Sequence, residues 1–149
     1  DLSEWIGQPC VPFIRQFNAS QYFGRLHTNY DAAAFVQVAW WAGCKTTVLT
    51  SCSDDPAIHE SRRRNLEMWF PGLIHNVICI GLGESKRSHL DALPRGLWIE
   101  DNYQNAVDGA ELGFDTWCLR KSHNLQHESS SHPDVKWVDS LSQILSHYK

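Results

Sequence analysis

The chain has 149 residues, of which 42% are hydrophobic and 20% are charged, and its formal net charge is −4. This length is typical of a single domain with a sizeable core, and the composition excludes an intrinsically disordered chain. The negative charge argues against a protein whose main role is to coat nucleic acid, so nucleic acid is not an expected partner.

The cysteines and the hydropathy of the chain bear on its location. The five cysteines are well separated and include no C-x-x-C pair, which indicates reduced thiols rather than a disulfide framework or a zinc ribbon. No apolar run approaches the ~20 residues of a membrane-spanning helix, and residues 1–4 do not resemble a signal peptide. We therefore expect a soluble, cytoplasmic protein that has no membrane partner.

Short apolar runs alternate with helical patterns along the chain. Strands are predicted over 46–52, 77–82, 96–100, 116–119 and 135–138, and helices over 30–41, 56–70, 104–112 and 141–147. The alternation predicts an α/β fold, with a mainly parallel sheet and helices on both of its faces. Residues 1–149 are expected to form a single domain, in which 122–133 is a polar loop and 1–29 is a candidate cap or pocket-covering segment.

Local signals mark the ends of two of these helices. Asp55 precedes Pro56, a pairing typical of a helix N-terminus. Asn102 is a second candidate capping residue, and Gly113 follows the same helix at a position where a left-handed conformation is common. These signals support the predicted helices 56–70 and 104–112.

Polar residues follow two of the predicted strands. Thr50 and Ser51 end one strand, and Glu100 and Asp101 end another. Functional sites in parallel α/β sheets form at the carboxyl ends of the strands, so this is where we expect the site. Adjacent carboxylates at the end of a buried strand are costly unless a cation is bound, and Mg²⁺ is the simplest candidate. The alternative is that the two acids only cap the helix that follows.

The motifs, taken in order, resemble a known family. V-L-T-S at 48–51, the lysine of G-E-S-K-R at 83–87 and L-W-I-E-D-N at 97–102 are similar to the second, third and fourth motifs of the haloacid dehalogenase (HAD) superfamily. F-P-G at 70–72, Asn105, and R-K-S-H-N at 120–124 add a likeness to its 5′-nucleotidase branch, which includes the 5′(3′)-deoxyribonucleotidases. The resemblance covers residues 20–145.

The resemblance implies a HAD-like, Rossmann-type domain with a small cap or none, which hydrolyses nucleoside monophosphates with the help of Mg²⁺. Thr50 and Ser51 would bind the phosphate, and Lys86 would stabilise the charge that develops on it, so that Thr50 and Lys86 are the implied catalytic residues. Asp101 would be the main Mg²⁺ ligand. Glu100 would be a direct or water-mediated second ligand, although the family more often has Asp there. An ordinary solvated role for Lys86 is the alternative.

The sequence departs from the family pattern in one respect. The superfamily attacks phosphate with the first aspartate of a D-x-D motif, and the 149 residues contain no D-x-D. Either residues upstream supply that motif and its strand, or the domain has lost its chemistry and binds a nucleotide or a protein partner. A polynucleotide 3′-phosphatase is a further alternative, which the net negative charge and the lack of a long basic stretch disfavour.

Other features have simpler expected roles. Arg62, Arg63 and Arg64 could contact phosphates, but a solvated surface is their expected role, because consecutive helical residues point in different directions. Cys52 is expected to pack or to line the pocket rather than to act as a nucleophile. His123 and His127 have a spacing that suits a zinc site, but no helix is predicted there.

The aromatic residues are expected to divide between two roles. Most of the seven tryptophans, among them the helical Trp40, Trp41 and Trp69, are expected to pack in the core or between helix and sheet rather than to stack on bases. An N-terminal group is expected to cover the pocket and stack on a base. This group comprises Trp5, Phe13, Phe17, Tyr22 and Phe23.

Overall fold

The computed structural model describes residues 9–148. The chain divides into two compact units, the first ending at Glu84 and the second beginning at Ser85. Each unit contains its own parallel sheet.

The first unit is built around a pair of parallel strands. Its helices are α1 (Val11–Asn18), a short 3-10 helix (Phe23–Arg25), α2 (Ala32–Trp41) and α3 (Pro56–Trp69). Its strands are β1 (Thr47–Ser51) and β2 (Asn76–Ile80), which pair in parallel so that Thr50 lies opposite Cys79. Buried apolar side chains from both strands and from α3 form its core, including Leu49, Leu66 and Ile80.

Helix α3 begins as the sequence predicts and is tied to the 3-10 helix. The Asp55 carboxylate accepts a hydrogen bond from the Ala57 N–H at 2.8 Å, and Pro56 is the first helical residue. Near the other end, the buried Asn65 side chain donates to the carbonyls of Gly24 and Leu26 at 3.3 and 2.8 Å. These bonds satisfy the backbone of a segment that has no sheet partner.

Helix α2 differs from expectation in what it buries. Ala32 and Val36 are buried, whereas Trp40 and Trp41 are 46% and 71% exposed. The expected packing role is therefore wrong for Trp40 and Trp41. Trp69 is half-buried and donates from Nε1 to the Leu26 carbonyl at 2.8 Å, so it has the packing role that was expected.

The second unit contains three parallel strands in the order β3-β4-β5. The strands are β3 (Leu97–Glu100), β4 (Asp115–Leu119) and β5 (Val135–Val138), with Glu100 opposite Cys118. The helices are α4 (Arg87–Asp91), α5 (Tyr103–Glu111), α6 (Leu141–Ser146) and a second 3-10 helix (Leu125–Ser130). Asn102 caps α5 by accepting from the Asn105 N–H at 3.2 Å, and Gly113 ends it with a φ of 82°.

Helix α5 packs closely on the sheet of its own unit. Ala106 and Ala110 are buried against Cys118 and Val135. Small residues on this face let the helix backbone approach the strands, and a Cβ added at Gly109 would lie 2.3 Å from Trp98 Cδ1. The carboxyl end of β3 is therefore held by a tightly packed helix.

The α/β class and the parallel direction of the strands are confirmed. The five strands lie in two sheets rather than one, because the alternation of strands and helices predicts direction and not which strands are neighbours. Helices α1 and α4 and both 3-10 helices were not predicted. Within residues 9–148, no helix has the length and apolar character needed to cross a membrane. The assignment of 1–149 to a single domain stays a prediction.

Candidate functional site at the carboxyl end of β3

Lys86 and Glu100 form an ion pair inside the second unit. Lys86 directly precedes α4, and Glu100 is the last residue of β3. The Lys86 ammonium donates to Glu100 Oε1, and the two side chains are only 14% and 6% exposed. Lys86 Nζ also lies 5.7 Å from the centre of the Trp98 ring. The alternative of a solvated lysine is therefore wrong.

The Glu100 carboxylate is surrounded by further donors. Its Oε2 accepts from the backbone N–H groups of Asp101 and Asn102 at 3.2 and 3.3 Å. Its Oε1 accepts from Asn105 Nδ2 at 3.4 Å in addition to the lysine. Glu100 therefore contacts the N-terminal end of α5, as the capping alternative supposed, and it also forms an ion pair with Lys86.

Asp101 has the opposite environment. Its side chain is 54% exposed, and its Oδ2 lies 3.9 Å from His123 Nε2. Its backbone carbonyl accepts from Asn124 Nδ2 at 2.7 Å and approaches His123 Nε2 at 3.0 Å. The backbone of Asp101 is thus held in place while its carboxylate faces solvent.

Asn124 joins the segments that follow β3 and β4. Besides its bond to Asp101, its Nδ2 donates to the Leu119 carbonyl at 2.8 Å, and its Oδ1 accepts from the Lys121 N–H at 2.9 Å. Asn124 is only 1% exposed. Because every one of these bonds is local to the carboxyl edge of the sheet, Asn124 fixes the geometry of that edge.

The segment predicted as the polar loop 122–133 contains the 3-10 helix Leu125–Ser130. Arg120 holds it through bonds from Nε and Nη2 to the Glu128 carboxylate at 2.7–3.1 Å. Tyr103 also contacts it, with its ring stacked on His127 at a centroid distance of 4.8 Å. His123 and His127 therefore serve different neighbours, Asp101 and Tyr103.

Carboxylate charge also affects Cys118, the strand partner of Glu100. Burial, followed by the negative charges of Asp101 and Glu100, raises the pKa of the Cys118 thiol to about 12. The thiol therefore stays protonated and acts as a packing group beneath the acids.

Thr50 and Ser51 belong to the first unit, at the end of β1. Thr50 is half-buried, and Ser51 Oγ donates to the Gly81 carbonyl at 2.9 Å. The next residue, Cys52, is fully buried, and burial raises its pKa to about 11. Cys52 is therefore not a reactive thiolate, in agreement with its expected packing role.

Helix α1 is anchored at this end of β1. The buried Asn18 side chain donates to the Cys52 carbonyl at 2.8 Å. A cavity of about 270 Å³ lies there, with Arg15 of α1 and Ser53, Asp54 and Asp55 among its lining residues.

The aromatic residues expected to cover the pocket differ in exposure. Phe13, Phe17 and Tyr22 are exposed, Phe23 is buried, and Trp5 lies outside the described residues. The exposed rings are the ones that are available for stacking on a ligand.

At the carboxyl end of β3, one side chain is available as a ligand for Mg²⁺. Mg²⁺ prefers hard oxygen ligands and usually takes one or two carboxylates together with waters and substrate phosphates. Asp101 offers an exposed carboxylate, whereas both Glu100 oxygens already accept hydrogen bonds. Among the described residues, no group of three or more His, Cys, Asp or Glu side chains is arranged to hold a metal ion.

Three polar residues of these sites were missed by the sequence reasoning or given another role. Asn18 carries no local signal, because a single Asn at a helix end is common. Asn124 ends the R-K-S-H-N motif at 120–124, but the motif did not indicate its role in joining the segments after β3 and β4. Arg62 did carry a local signal, which is its helical spacing. It lies four residues after Ile58 and four before Leu66, on the face of α3 that is directed inward. Its expected solvated role is wrong.

No protein-family model matches the chain, and no curated protein shows significant sequence similarity to it. The resemblance to the HAD superfamily therefore stays a prediction that rests on the motifs themselves.

Proposed function

We propose that this chain is a HAD-like, Mg²⁺-dependent phosphomonoesterase that acts on nucleoside monophosphates. The observation that carries the proposal is the Lys86–Glu100 pair beside the exposed carboxylate of Asp101, at the carboxyl end of a parallel strand. A buried ammonium next to an exposed hard-oxygen ligand suits the binding of a phosphate and a divalent cation together.

Asp101 would hold the Mg²⁺ ion, which, when bound, neutralises charge on the phosphoryl oxygens. Asn124 and His123 fix the backbone of Asp101 and so limit the positions its carboxylate can take. Glu100 would act on the ion at most through water, because its oxygens are occupied by N–H donors.

Lys86 would stabilise the transferring phosphoryl group, with its charge fixed in place by Glu100. Thr50 and Ser51 keep the phosphate-binding role that the resemblance implies. The exposed aromatic rings of Phe13, Phe17 and Tyr22 are our candidates for stacking on the base. The absence of disulfides among the five cysteines, all within residues 9–148, supports a cytoplasmic setting.

A second candidate is a nucleotide-binding domain without catalytic activity. The observation that favours it is the lack of a D-x-D sequence among the 149 residues, since phosphoryl transfer in this superfamily begins with attack by that carboxylate. This candidate predicts that a nucleoside monophosphate raises the melting temperature with no release of phosphate.

The test compares phosphate release from a panel of nucleoside monophosphates by the natural protein and by three variants. We expect Asp101→Asn and Lys86→Met to lower kcat by at least about 100-fold, in the range observed for the loss of a group that stabilises transition-state charge. The matched control is Asp134→Asn. Asp134 is 76% exposed and directly precedes β5, so it lies at the opposite edge of a parallel sheet.

The control should keep the parent rate. Release at the parent rate by Asp101→Asn or Lys86→Met would show that the site is assigned wrongly. Nucleotide binding without release by the parent would favour the second candidate.

A further inference from the structure

Three consecutive arginines on α3 have three different environments. Arg63 is exposed, and Arg64 is exposed and pairs with Glu60 at 2.9 Å. Arg62 is turned inward, and burial lowers the pKa of its guanidinium. A guanidinium nevertheless stays charged in a protein, so α3 carries a partly buried cation.

Within the described part of the chain, the contacts of Arg62 leave this cation without a negative partner. Nη1 donates to Asn65 Oδ1 at 2.8 Å, and the guanidinium carbon lies 6.0 Å from the centre of the Phe23 ring. Nε is buried and has no hydrogen-bond partner among the described residues. Within residues 9–148, the groups that act electrostatically on Arg62 are the thiols of Cys52 and Cys79, and no carboxylate is among them.

These thiols locate Arg62 on the sheet of the first unit. Cys79 lies opposite Thr50 in the parallel register, and Cys52 is two residues beyond Thr50. Side chains alternate between the faces of a strand, so Thr50, Cys52 and Cys79 share one face. Arg62 therefore lies on the same face as Thr50, near the carboxyl end of β1.

A buried charge without a partner is expensive, and a guanidinium presents a planar set of donors that matches a phosphate or a carboxylate. The neighbouring thiols do not supply the missing charge, because burial keeps the Cys52 thiol protonated at neutral pH. Among the described residues, Arg62 therefore has no anionic partner, and an anion bound from solution would supply one.

We infer that Arg62 binds an oxyanion of the phosphate class at the carboxyl end of β1. The identification of this anion with the phosphate of the substrate rests on the proposed function. The competing explanation is that Arg62 serves only to pack against Phe23 and Asn65.

The test measures the binding of inorganic phosphate to the full chain by calorimetry, without Mg²⁺ and with NaCl used to hold the ionic strength constant. The variants are Arg62→Met, Arg62→Lys and the matched control Arg63→Met, which removes an exposed charge one residue away. We expect Arg62→Met to weaken phosphate binding by about tenfold or more, as the loss of a charge-assisted hydrogen bond implies. Arg63→Met should bind as the parent does.

Arg62→Lys keeps the charge but loses the planar donors, so it should fold and bind phosphate with intermediate affinity. This variant keeps the test decisive if Arg62→Met does not fold. Parent-like binding by Arg62→Met, equal losses in Arg62→Met and Arg63→Met, or no saturable binding by the parent would each overturn the inference.

The outcomes separate this inference from the proposed function. Phosphate binding that depends on Arg62, without hydrolysis of any nucleotide, would support the anion site and contradict the proposed enzymatic function. Hydrolysis by Arg62→Met with the KM of the parent would support the enzymatic function and contradict the anion site.

Discussion

At the residue scale, the most informative contact is the buried pair of Lys86 and Glu100. Removing one partner leaves the other as an uncompensated buried charge, which costs about 3–5 kcal/mol. We expect Glu100→Gln and Lys86→Met each to lower the free energy of unfolding by an amount near this range. The double variant should cost less than the sum of the two, and urea denaturation of all four proteins measures the difference.

Arg87→Met is a suitable control for that cycle. Arg87 follows Lys86 in the sequence and pairs with Asp108 at 3.1 Å, but its side chain is 44% exposed. Exposed ion pairs contribute little to stability, so this change should cost much less than either change in the buried pair. Strict additivity of Lys86→Met and Glu100→Gln would mean that the pair does not act as a unit.

The sequence allowed part of this site to be predicted. An apolar strand that ends in two acids was enough to place the site at Glu100 and Asp101. It could not show that one carboxylate accepts four hydrogen bonds while the other faces solvent. That difference depends on Lys86 and Asn105, which come close to Glu100 only in the folded unit.

At the element scale, the position of α5 depends on a close approach at Gly109. A Cβ there would lie 2.3 Å from Trp98 Cδ1 and 3.1 Å from Thr116 Oγ1, and the indole is held by a bond from its Nε1 to the Asn105 carbonyl at 3.0 Å. We expect Gly109→Ala to destabilise the protein by about 1–3 kcal/mol, despite the better helix propensity of alanine. Thermal unfolding followed by circular dichroism measures the change.

Gly96→Ala is the matched control, because a Cβ at Gly96 meets nothing within 4 Å. Its effect should stay within about 0.5 kcal/mol. If Gly109→Ala proved as stable as Gly96→Ala, the close packing of α5 on β3 would be incorrect.

Elements with local signals were the ones that could be predicted. Asp55 with Pro56, and Asn102 with Gly113, mark the ends of α3 and α5, and the structure confirms these boundaries to within a residue. The 3-10 helix Leu125–Ser130 has no apolar period. It is held by Tyr103, which is distant in sequence, and by the pairing of Arg120 with Glu128. Such tertiary contacts leave no local pattern.

At the scale of the whole molecule, the order of strands and helices was enough to predict an α/β class with parallel strands. It could not predict that the ladders form two separate sheets, since neighbouring strands are chosen by packing rather than by local pattern. The exposure of Trp40 and Trp41 has the same origin, because burial depends on which surfaces meet.

The stability of the whole chain should fall at alkaline pH. Burial raises the pKa of Cys52 to about 11 and that of Cys118 to about 12, above the ordinary value of 9.0. A raised pKa in the folded state adds stability that is fully present below pH 9 and is lost as pH rises toward these values. We expect a loss of roughly 1 kcal/mol per thiol by pH 10, measured by urea unfolding under reducing conditions.

Cys44 provides the comparison, because it is exposed. Cys118→Ala should reduce the loss of unfolding free energy at alkaline pH, whereas Cys44→Ala should leave that loss unchanged. An alkaline loss of the same size in Cys118→Ala would show that this thiol is not responsible.

The most direct test of the central claim is the release of phosphate from nucleoside monophosphates by the natural protein, measured with Mg²⁺ and with excess EDTA. The proposed site predicts release that requires Mg²⁺ and is lost in Asp101→Asn. A natural protein that releases no phosphate with Mg²⁺, or that releases it equally with EDTA, would contradict the account.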